Sequence, residues 1–208
     1  MGKKVFEFMG GPIGENTYLI VDEESRETAL VDPGFFDSKI EKKINENEAK
    51  LKYIILTHGH GDHIGGIPDI IKKYDGVKIV AHEEEKNMLN NGDINCSLGI
   101  FGKNIELDAD IYVKEGDELK MGDLDFKFIH TPGHTNGGMC ILLDDILFSG
   151  DTLFRMSIGR TDFPQGSFEK IMKSIKEKLF KLPDDTKVYP GHMDKTDIGY
   201  EKRNNPFV

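Results

Sequence analysis

The segment THGHGDHIGG, residues 57–66, carries more chemical information than any other part of this sequence. Within six consecutive positions it holds three histidines and one aspartate, with glycines in the gaps: His58, His60, Asp62 and His63. Imidazole nitrogens and carboxylate oxygens crowded in this way are unstable once removed from water unless a cation lies among them. The segment therefore predicts a metal-binding loop.

The spacing within this loop predicts two directions for its side chains. In an extended chain His58 and His60, two residues apart, point to the same side. The step around the glycine that follows His60 then directs Asp62 and His63 toward a second ion nearby. We interpret both glycines of the loop as keeping bulk away from the metals.

Length, charge and cysteine content limit the classes of protein that need to be considered. The 208 residues suffice for one well-buried core, so we predict a single domain over residues 1–208. The 37 acidic and 27 basic residues give a net charge of -10, which disfavours nucleic acid and anionic membranes as partners. No stretch has the apolar length of a signal peptide or a membrane span, so we expect a cytoplasmic protein. Cys96 and Cys140 lie outside any CxxC pattern and predict neither a disulfide framework nor a thiolate zinc site.

Short apolar runs separated by glycine-rich turns, with helical patterns between some of them, predict an α/β or α+β fold. The predicted strands cover residues 4–8, 16–21, 28–31, 53–56, 77–81, 124–129, 138–143, 146–150 and 187–190. The predicted helices cover residues 37–47, 67–74, 83–90, 167–182 and 196–203. In the fourth helix, Ser167 is the expected cap, and five apolar residues share one face that should cover a sheet: Phe168, Ile171, Met172, Ile175 and Leu179. The chain also divides loosely into two strand-rich halves that meet near residue 110.

Three further polar residues stand where a predicted strand gives way to a loop: His134 in FIHTPGHT, Asp151 in ILFSGD and His192 in KVYPGHM. Strand ends are where α/β enzymes tend to gather their chemistry, because the sheet fixes the geometry. Pro-Gly precedes both histidines, and this pair allows the chain to turn sharply just before the side chain. These three residues are therefore candidates for the same metal site.

Together with the opening segment, these residues give five imidazoles and two carboxylates: His58, His60, Asp62, His63, His134, Asp151 and His192. One catalytic zinc ion needs only three protein ligands and a water. Two ions that share a bridging carboxylate would use all seven residues. His82 and His130 stand alone in the sequence, so we leave both out of the ligand set.

In this order along the chain, THGHGDHIGG, TPGHT, SGDTLF and PGHM resemble the metallo-β-lactamase superfamily, and the match spans most of the sequence. The resemblance implies an αββα sandwich, two mixed sheets flanked by helices, with the metals at one edge between the sheets. It also implies the division of the ligands: His58, His60 and His134 on the first ion, Asp62, His63 and His192 on the second, and Asp151 bridging.

Asp32 in LVDPG matches an early acidic position of the superfamily that supports the metal cluster without binding metal itself. A turn aspartate before Pro33 is the alternative interpretation of Asp32.

The segments GDTLFRMSIGRTDFPQGS and IGYEKRNNPF are similar to the glyoxalase II branch and its small single-domain relatives, which hydrolyse thioesters such as hydroxyacylglutathione. True β-lactamases are a poorer match, and nucleases of the superfamily normally carry an inserted domain or an RNA-gripping arm. Full-length glyoxalase II enzymes continue into a helical domain that supplies part of the glutathione site. This chain ends shortly after His192, which leaves the thiol carrier open.

The ligand set predicts a metal-dependent hydrolase whose nucleophile is a hydroxide held between two divalent ions. Zinc is the expected metal, with iron or manganese as alternatives. Asp62 and Asp151 are the predicted catalytic carboxylates. No separate general acid is evident, which suits a small acyl thioester, because a thiol with a pKa of about 8.5 leaves with little protonation. The residual positive charge of two ions favours an anionic substrate.

Arg160 in SIGRTDF is the predicted contact for a substrate carboxylate, because its guanidinium can bind one through two hydrogen bonds. A salt bridge with Asp162 is the alternative. The segment NGDINCSLGIFG, residues 91–102, forms either a wall over the pocket or an ordinary packed loop.

Two rival functions remain open at this stage. GRTDFPQG also resembles the sulfur dioxygenases of the superfamily, in which one iron would be held by His58, His134 and Asp151. A metal-binding protein without turnover is the second rival, and the complete ligand set argues against it. We expect a small-molecule substrate and leave the oligomeric state open.

Overall fold

Two six-stranded mixed β-sheets face each other in the computed structural model, which describes residues 2–208. The first sheet has the strand order β1-β2-β3-β4-β5-β6, and the second has the order β14-β13-β10-β9-β8-β7. The strands of the first sheet are β1 (Lys3–Gly10), β2 (Glu15–Asp22), β3 (Glu27–Val31), β4 (Lys50–Ile55), β5 (Lys78–His82) and β6 (Ile111–Val113). Those of the second are β7 (Glu118–Met121), β8 (Leu124–His130), β9 (Met139–Leu143), β10 (Ile146–Gly150), β13 (Lys187–Pro190) and β14 (Thr196–Asp197). A separate hairpin joins β11 (Leu153–Phe154) to β12 (Ser157–Ile158).

Neighbouring strands run in opposite directions at two places in the first sheet and at four places in the second. Strands β1 to β3 are antiparallel, and β3 to β6 are parallel neighbours joined through helices. In the second sheet, only β10 and β13 are parallel. Parallel strands that lie side by side end at the same edge of a sheet, so the loops after β10 and β13 emerge together.

Helices cover the outer face of each sheet. The helices are α1 (Ser38–Glu46), α2 (Gly61–Ile64), α3 (Ile67–Lys73), α4 (Lys86–Leu89), α5 (Ser97–Phe101), α6 (Phe168–Glu177) and α7 (Ile198–Asn204). Ile40, Ile44, Ile67 and Ile70 of α1 and α3 share one buried cluster with residues of the first sheet. Residues of α6 and α7 form a similar cluster with the second sheet. The layers are therefore α, β, β and α, as the resemblance implied.

The main core lies between the two sheets, and the alternation of buried and exposed side chains along β8 shows which face of the second sheet contributes to it. Leu124, Phe126 and Phe128 are buried against the first sheet, while Asp125 and Lys127 between them are exposed. This alternation is expected of a strand that has one buried face and one solvent-exposed face. Strand β2 is buried along its whole length because the other sheet covers one of its faces and helices cover the other.

The predictions from the sequence include every long strand and helix but not the shortest ones. All nine predicted strands are present, and the predicted helix at 83–90 is a 3₁₀ turn, Glu83–Glu85, followed by α4. The strands β6, β7, β11, β12 and β14 and the helices α2 and α5 were not predicted, because segments of two to five residues are too short to show a period. The two halves meet where expected, since the first sheet ends at Val113 and the second begins at Glu118.

One side chain of the predicted α6 face was misplaced. Ile171 and Ile175 are buried against the second sheet, and the hydroxyl of Ser167 accepts a hydrogen bond from the backbone N–H of Lys170, which caps the helix. Phe168, however, is 55% exposed. It is the first residue of α6 and does not belong to the cluster that this helix forms with the second sheet. Among residues 2–208, no helix combines the length and the apolar character needed to cross a membrane.

This difference between Ile175 and Phe168 leads to a stability prediction. Ile175→Ala should lower the free energy of unfolding by about 2–5 kcal/mol, because it leaves a cavity under the sheet. Phe168→Ala, on the same helix, should cost less than about 1 kcal/mol. Urea unfolding of the three proteins measures both values, and equal losses would contradict the packing described for α6.

Candidate metal centre

The segment 57–66 leaves the end of β4 and enters the gap between the sheets. His60 has extended backbone, with φ -65° and ψ 150°, and the chain then enters the helical turn α2. Asp62 and His63 lie within that turn. The step that we predicted at Gly61 is therefore a helical turn that begins at this residue.

The two glycines of this loop have a role different from the one we inferred. A Cβ on Gly59 would lie 3.0 Å from Oε2 of Glu85, and one on Gly61 would lie 2.7 Å from the Cα of Ser97. The glycines thus allow neighbouring segments to approach the loop from outside. The interpretation that they keep bulk away from the metals was wrong.

The second sheet supplies three more side chains from the ends of its strands. His134 lies in the loop after β8, Asp151 follows β10 directly, and His192 follows β13. A Cβ on Gly191 would lie 2.5 Å from Oδ1 of Asp151 and 2.6 Å from Cε1 of His63, so only glycine fits beside the cluster. In the other Pro-Gly pair the glycine has φ +141°, a conformation that other residues rarely adopt.

His58, His60 and His134 form one group whose donor atoms all lie within 4.8 Å of one another. Nδ1 of His60 is 2.9 Å from Nε2 of His134, and the three ring centroids are 4.7–4.9 Å apart. Nδ1–H of His134 donates to the backbone carbonyl of Arg160 at 2.7 Å. The lone pair of a neutral His134 therefore points into the group.

A second group consists of Asp62, His63 and His192, and its donor atoms also lie within 4.8 Å of one another. Nε2 of His192 lies 3.1 Å from Oδ2 of Asp62, and Nε2 of His63 lies 3.5 Å from the same oxygen. Nδ1–H of His192 faces the backbone carbonyl of Gly14 at 3.3 Å. This ring is also oriented from its outer side.

Asp151 lies between the two groups. Its Oδ1 is 3.4 Å from Nε2 of His63, and its Oδ2 is 3.5 Å from Nε2 of His134 and 3.8 Å from Nε2 of His192. One carboxylate thus reaches imidazoles of both groups, which is the position that a bridging ligand would need.

Asp32 touches the site through His63. Its Oδ1 accepts a hydrogen bond from the backbone N–H of Thr57 at 2.7 Å, and its Oδ2 lies 3.0 Å from Nδ1 of His63. The residue has φ +47°, which aspartate tolerates better than most residues. A carboxylate on the outer nitrogen fixes the ring and leaves Nε2 for a metal.

Four buried nitrogen and oxygen atoms that could bind a metal have no hydrogen-bond partner among residues 2–208. They are Nε2 of His58, His60 and His63 and Oδ1 of Asp151. A buried polar atom left without a partner costs about 1–3 kcal/mol, and these four share one small volume. His60 faces His134 with Nδ1, and cations at the two groups would give Nε2 of His58 and His63 and Oδ1 of Asp151 a partner, so the residues present fit a pair of metal ions.

The electrostatics point to the same conclusion. Burial and the neighbouring His134 lower the pKa of His60 to about 3, and burial also holds the pKa of His58 well below its usual range. Both rings are therefore neutral near pH 7, which is the form that binds metal. Burial lowers the pKa of His63 too, but the carboxylates of Asp62 and Asp151 outweigh burial and raise it. The carboxylates thus attract positive charge to the centre.

A cleft of about 440 Å³ opens above these groups. Its walls are mainly apolar, and the principal side chains are Ile13, Ile100, Phe154, Ile158, Phe163 and Met193. Cys96 and Ile100 belong to the segment 91–102, so that segment forms part of a wall, as one of our two interpretations held.

Arg160 lines the cleft, but its guanidinium is already paired. Nε and one terminal nitrogen donate to the two carboxylate oxygens of Asp162 at 3.0 and 2.8 Å, and the group stacks 4.1 Å from the centre of the Phe163 ring. The side chains of Arg160 and Asp162 are both about two-thirds exposed. The structure thus contains the salt bridge that was the alternative to a substrate contact.

His82 and His130, which we left out of the ligand set, lie outside both groups. Their rings stack with centroids 4.0 Å apart, and Nε2–H of His130 donates to the carbonyl of Asn136. Burial lowers the pKa of His82 to about 4, and its Nδ1 accepts the backbone N–H of Glu84. Both histidines stabilise local structure.

Glu85 is a buried residue beside the centre that the sequence analysis missed. It sits in a run of three glutamates, which resembles a solvated surface. The available signal was its spacing to Met88 and Leu89, both buried, because positions three and four apart share one helical face.

A model of the metallo-β-lactamase superfamily matches residues 10–192 of the chain. Among curated relatives, hydroxyacylglutathione hydrolase GloC of Haemophilus influenzae is 37% identical over 198 residues, which cover 93% of this chain and 92% of that protein.

Three solved structures extend the comparison. The B3 metallo-β-lactamase BLEG-1 is 32% identical with a TM-score of 0.90, covering 98% of this chain and 99% of that one. ETHE1 from Myxococcus xanthus is 32% identical with a TM-score of 0.81, covering 98% and 83%. TTHA1623, solved in a di-iron-bound form, is 30% identical with a TM-score of 0.84, covering 98% and 100%.

The position of Asp151 between the groups leads to a prediction about metal content. Wild-type protein should approach two ions per chain, and Asp151→Ala should fall below one, because both groups lose a shared ligand. Elemental analysis after dialysis measures this loss. Asp194→Ala, which removes an exposed carboxylate near His192, should keep the wild-type content. Equal losses in the two variants would show that Asp151 is not a shared ligand.

Proposed function

Because the chain belongs to the metallo-β-lactamase superfamily, we propose that it is a metal-dependent hydrolase that cleaves a small acyl thioester. The observation that carries the proposal is the pair of donor groups joined through Asp151 on the floor of the cleft. The likeness to hydroxyacylglutathione hydrolase GloC supports a thioester as the substrate. We propose zinc as the metal, with iron or manganese as alternatives. The di-iron-bound form of TTHA1623 supports iron as one of these alternatives.

The chemistry requires little of the protein beyond positioning. Two divalent ions, when bound, supply a nucleophile at neutral pH and a Lewis acid for the substrate carbonyl. Asp62 and Asp151 provide the negative charge that holds them, and the outer contacts of His63, His134 and His192 orient the imidazoles.

The leaving group also fits the residues that line the cleft. Apart from the metal-binding candidates, the ionisable groups there are Cys96 and Arg160. Burial raises the pKa of the Cys96 thiol, and the pKa of Arg160 is raised by its bond to Asp162, so neither is suited to donate a proton at neutral pH. A thiolate leaves without such an acid, whereas an amine needs one.

The walls of the cleft divide into two flanks. The Phe163 ring lies 5.5 Å from that of His60, with Arg160 beside it, whereas the Phe154 ring lies 6.1 Å from that of His192. The first flank combines an aromatic face with a cation, and the second is apolar. We propose that Arg160 binds a substrate carboxylate at the first flank. The substrate must then displace Asp162 from the guanidinium.

A persulfide dioxygenase is the second candidate, supported by the likeness to ETHE1. One iron would then be held by His58, His134 and Asp151, and the group of Asp62, His63 and His192 would have no ion to bind. Sulfur dioxygenases of the superfamily keep the same seven positions, so the number of bound ions and the reaction catalysed distinguish the two candidates.

Three further statements stay predictions from the sequence: a single domain, a cytoplasmic location and the lack of nucleic-acid or membrane partners.

The proposed function is tested by three assays on protein purified without added metal. Thioester hydrolysis should accompany two ions per chain, whereas oxygen uptake with a persulfide and hydrolysis of a β-lactam should stay near the background. Oxygen uptake by a protein with one iron and no thioesterase activity would overturn the proposal. Hydrolysis of a β-lactam at a higher kcat/KM than any thioester would also overturn it.

The assignment of Arg160 is tested by comparing two variants. Arg160→Ala should raise KM for an anionic thioester roughly tenfold, since a charge-assisted contact contributes about 1.5–3 kcal/mol and the displaced surface ion pair offsets up to about 1. It should leave kcat and metal content near wild type. Asp162→Ala should lower KM for the same substrate, because it frees the guanidinium. A neutral thioester should respond little to either change, and identical effects on both substrates would contradict the assignment.

A further inference from the structure

Glu85 lies at the end of the 3₁₀ turn after β5, between the loop of His58 and the loop of His134. It is 1% exposed, whereas Glu83 and Glu84 beside it are exposed. A carboxylate buried to this degree costs several kcal/mol unless it is paired. Among residues 2–208, no lysine, arginine or histidine forms a salt bridge with Glu85, so its stabilising contacts are hydrogen bonds.

Those hydrogen bonds join two loops. Oε2 of Glu85 accepts the backbone N–H of Gly59 at 2.8 Å, and Oε1 accepts the hydroxyl of Thr135 at 2.5 Å and the backbone N–H of Gly137 at 2.8 Å. Gly59 stands between His58 and His60, and Thr135 follows His134. One carboxylate thus holds both loops that carry the first donor group.

The two glycines that Glu85 touches show how close the contact is. A Cβ on Gly59 would lie 3.0 Å from Oε2 of Glu85, and one on Gly137 would lie 2.5 Å from the backbone nitrogen and 2.8 Å from Cγ of the same residue. Side chains at these positions would push the loops away from the carboxylate. Both loops are therefore shaped to meet it.

We infer that Glu85 is a positioning residue for the first ion. By fixing the separation of the two loops, it sets the distance of His58 and His60 from His134 without touching any of these rings. The second group is held by different contacts, the carboxylate of Asp32 on His63 and the carbonyl of Gly14 on His192. The inference rests on the metal assignment proposed above and is independent of the substrate.

Glu85→Gln tests the inference with little change in shape. The amide keeps one oxygen and replaces the other with an NH₂ group, so one of the two loops faces a donor in place of an acceptor. Zinc titration followed by the ring ¹⁵N shifts of the histidines reports each group separately. Binding at His58, His60 and His134 should weaken about 10–100-fold, as expected for loss of an outer contact, while His63 and His192 respond less than about threefold.

Thr135→Val and Glu84→Gln complete the design. Thr135→Val removes one of the three hydrogen bonds and keeps the shape, so it should weaken the first group alone, by less than Glu85→Gln does. Glu84→Gln changes an exposed neighbour and should match wild type. Two outcomes would overturn the inference. One is unchanged binding at the first group in Glu85→Gln, and the other is equal weakening of both groups together with a lower Tm of the metal-free protein.

The same titration separates this inference from the metal assignment. If zinc leaves the His58, His60 and His134 rings of the wild-type protein unperturbed, the assignment itself is wrong and the inference falls with it. If wild type fills this group alone, Glu85→Gln must still weaken it, and unchanged binding overturns the inference while the assignment of the first group stands.

Discussion

A buried imidazole can present a lone pair to the centre only if something on its other side holds the ring, and this constraint organises the whole site. His134 is held by the carbonyl of Arg160, His63 by the carboxylate of Asp32 and His192 by the carbonyl of Gly14. The two carbonyls belong to neither donor group, and Asp32 contacts the outer nitrogen of His63. Each depends on a loop or strand end whose position the two sheets determine, so the precision of the donors derives from backbone structure at some distance from them.

Much of the centre could be predicted from the sequence because its donors are concentrated and lie at strand ends. The apolar runs before His134, Asp151 and His192 located them at one edge, and the structure brings all three to the segment 57–66. That these side chains bind metal stays a prediction. The direction of the Asp62 pair was only partly foreseen, since a helical turn of four residues leaves no periodic signal.

Contacts between segments distant in sequence could not be predicted, because they depend on tertiary packing. Nothing in the run of three glutamates marks Glu85 as the partner of Gly59 and Gly137, although its spacing to Met88 gave a weak signal. The loop glycines were misinterpreted for the same reason, since the atoms they admit come from other segments. For Arg160, two partners were considered, and the structure shows the local one, Asp162.

The two halves of the chain contribute unequally to each donor group, and this has a consequence for folding. The first group takes two residues from the half that ends at Val113 and one from the half that begins at Glu118, and so does the second group. A chain with its sheets undocked would offer at most two of the three donors to either ion. Under the proposed assignment, metal binding is therefore coupled to docking of the halves, and metal concentration contributes directly to the stability of the sheet interface.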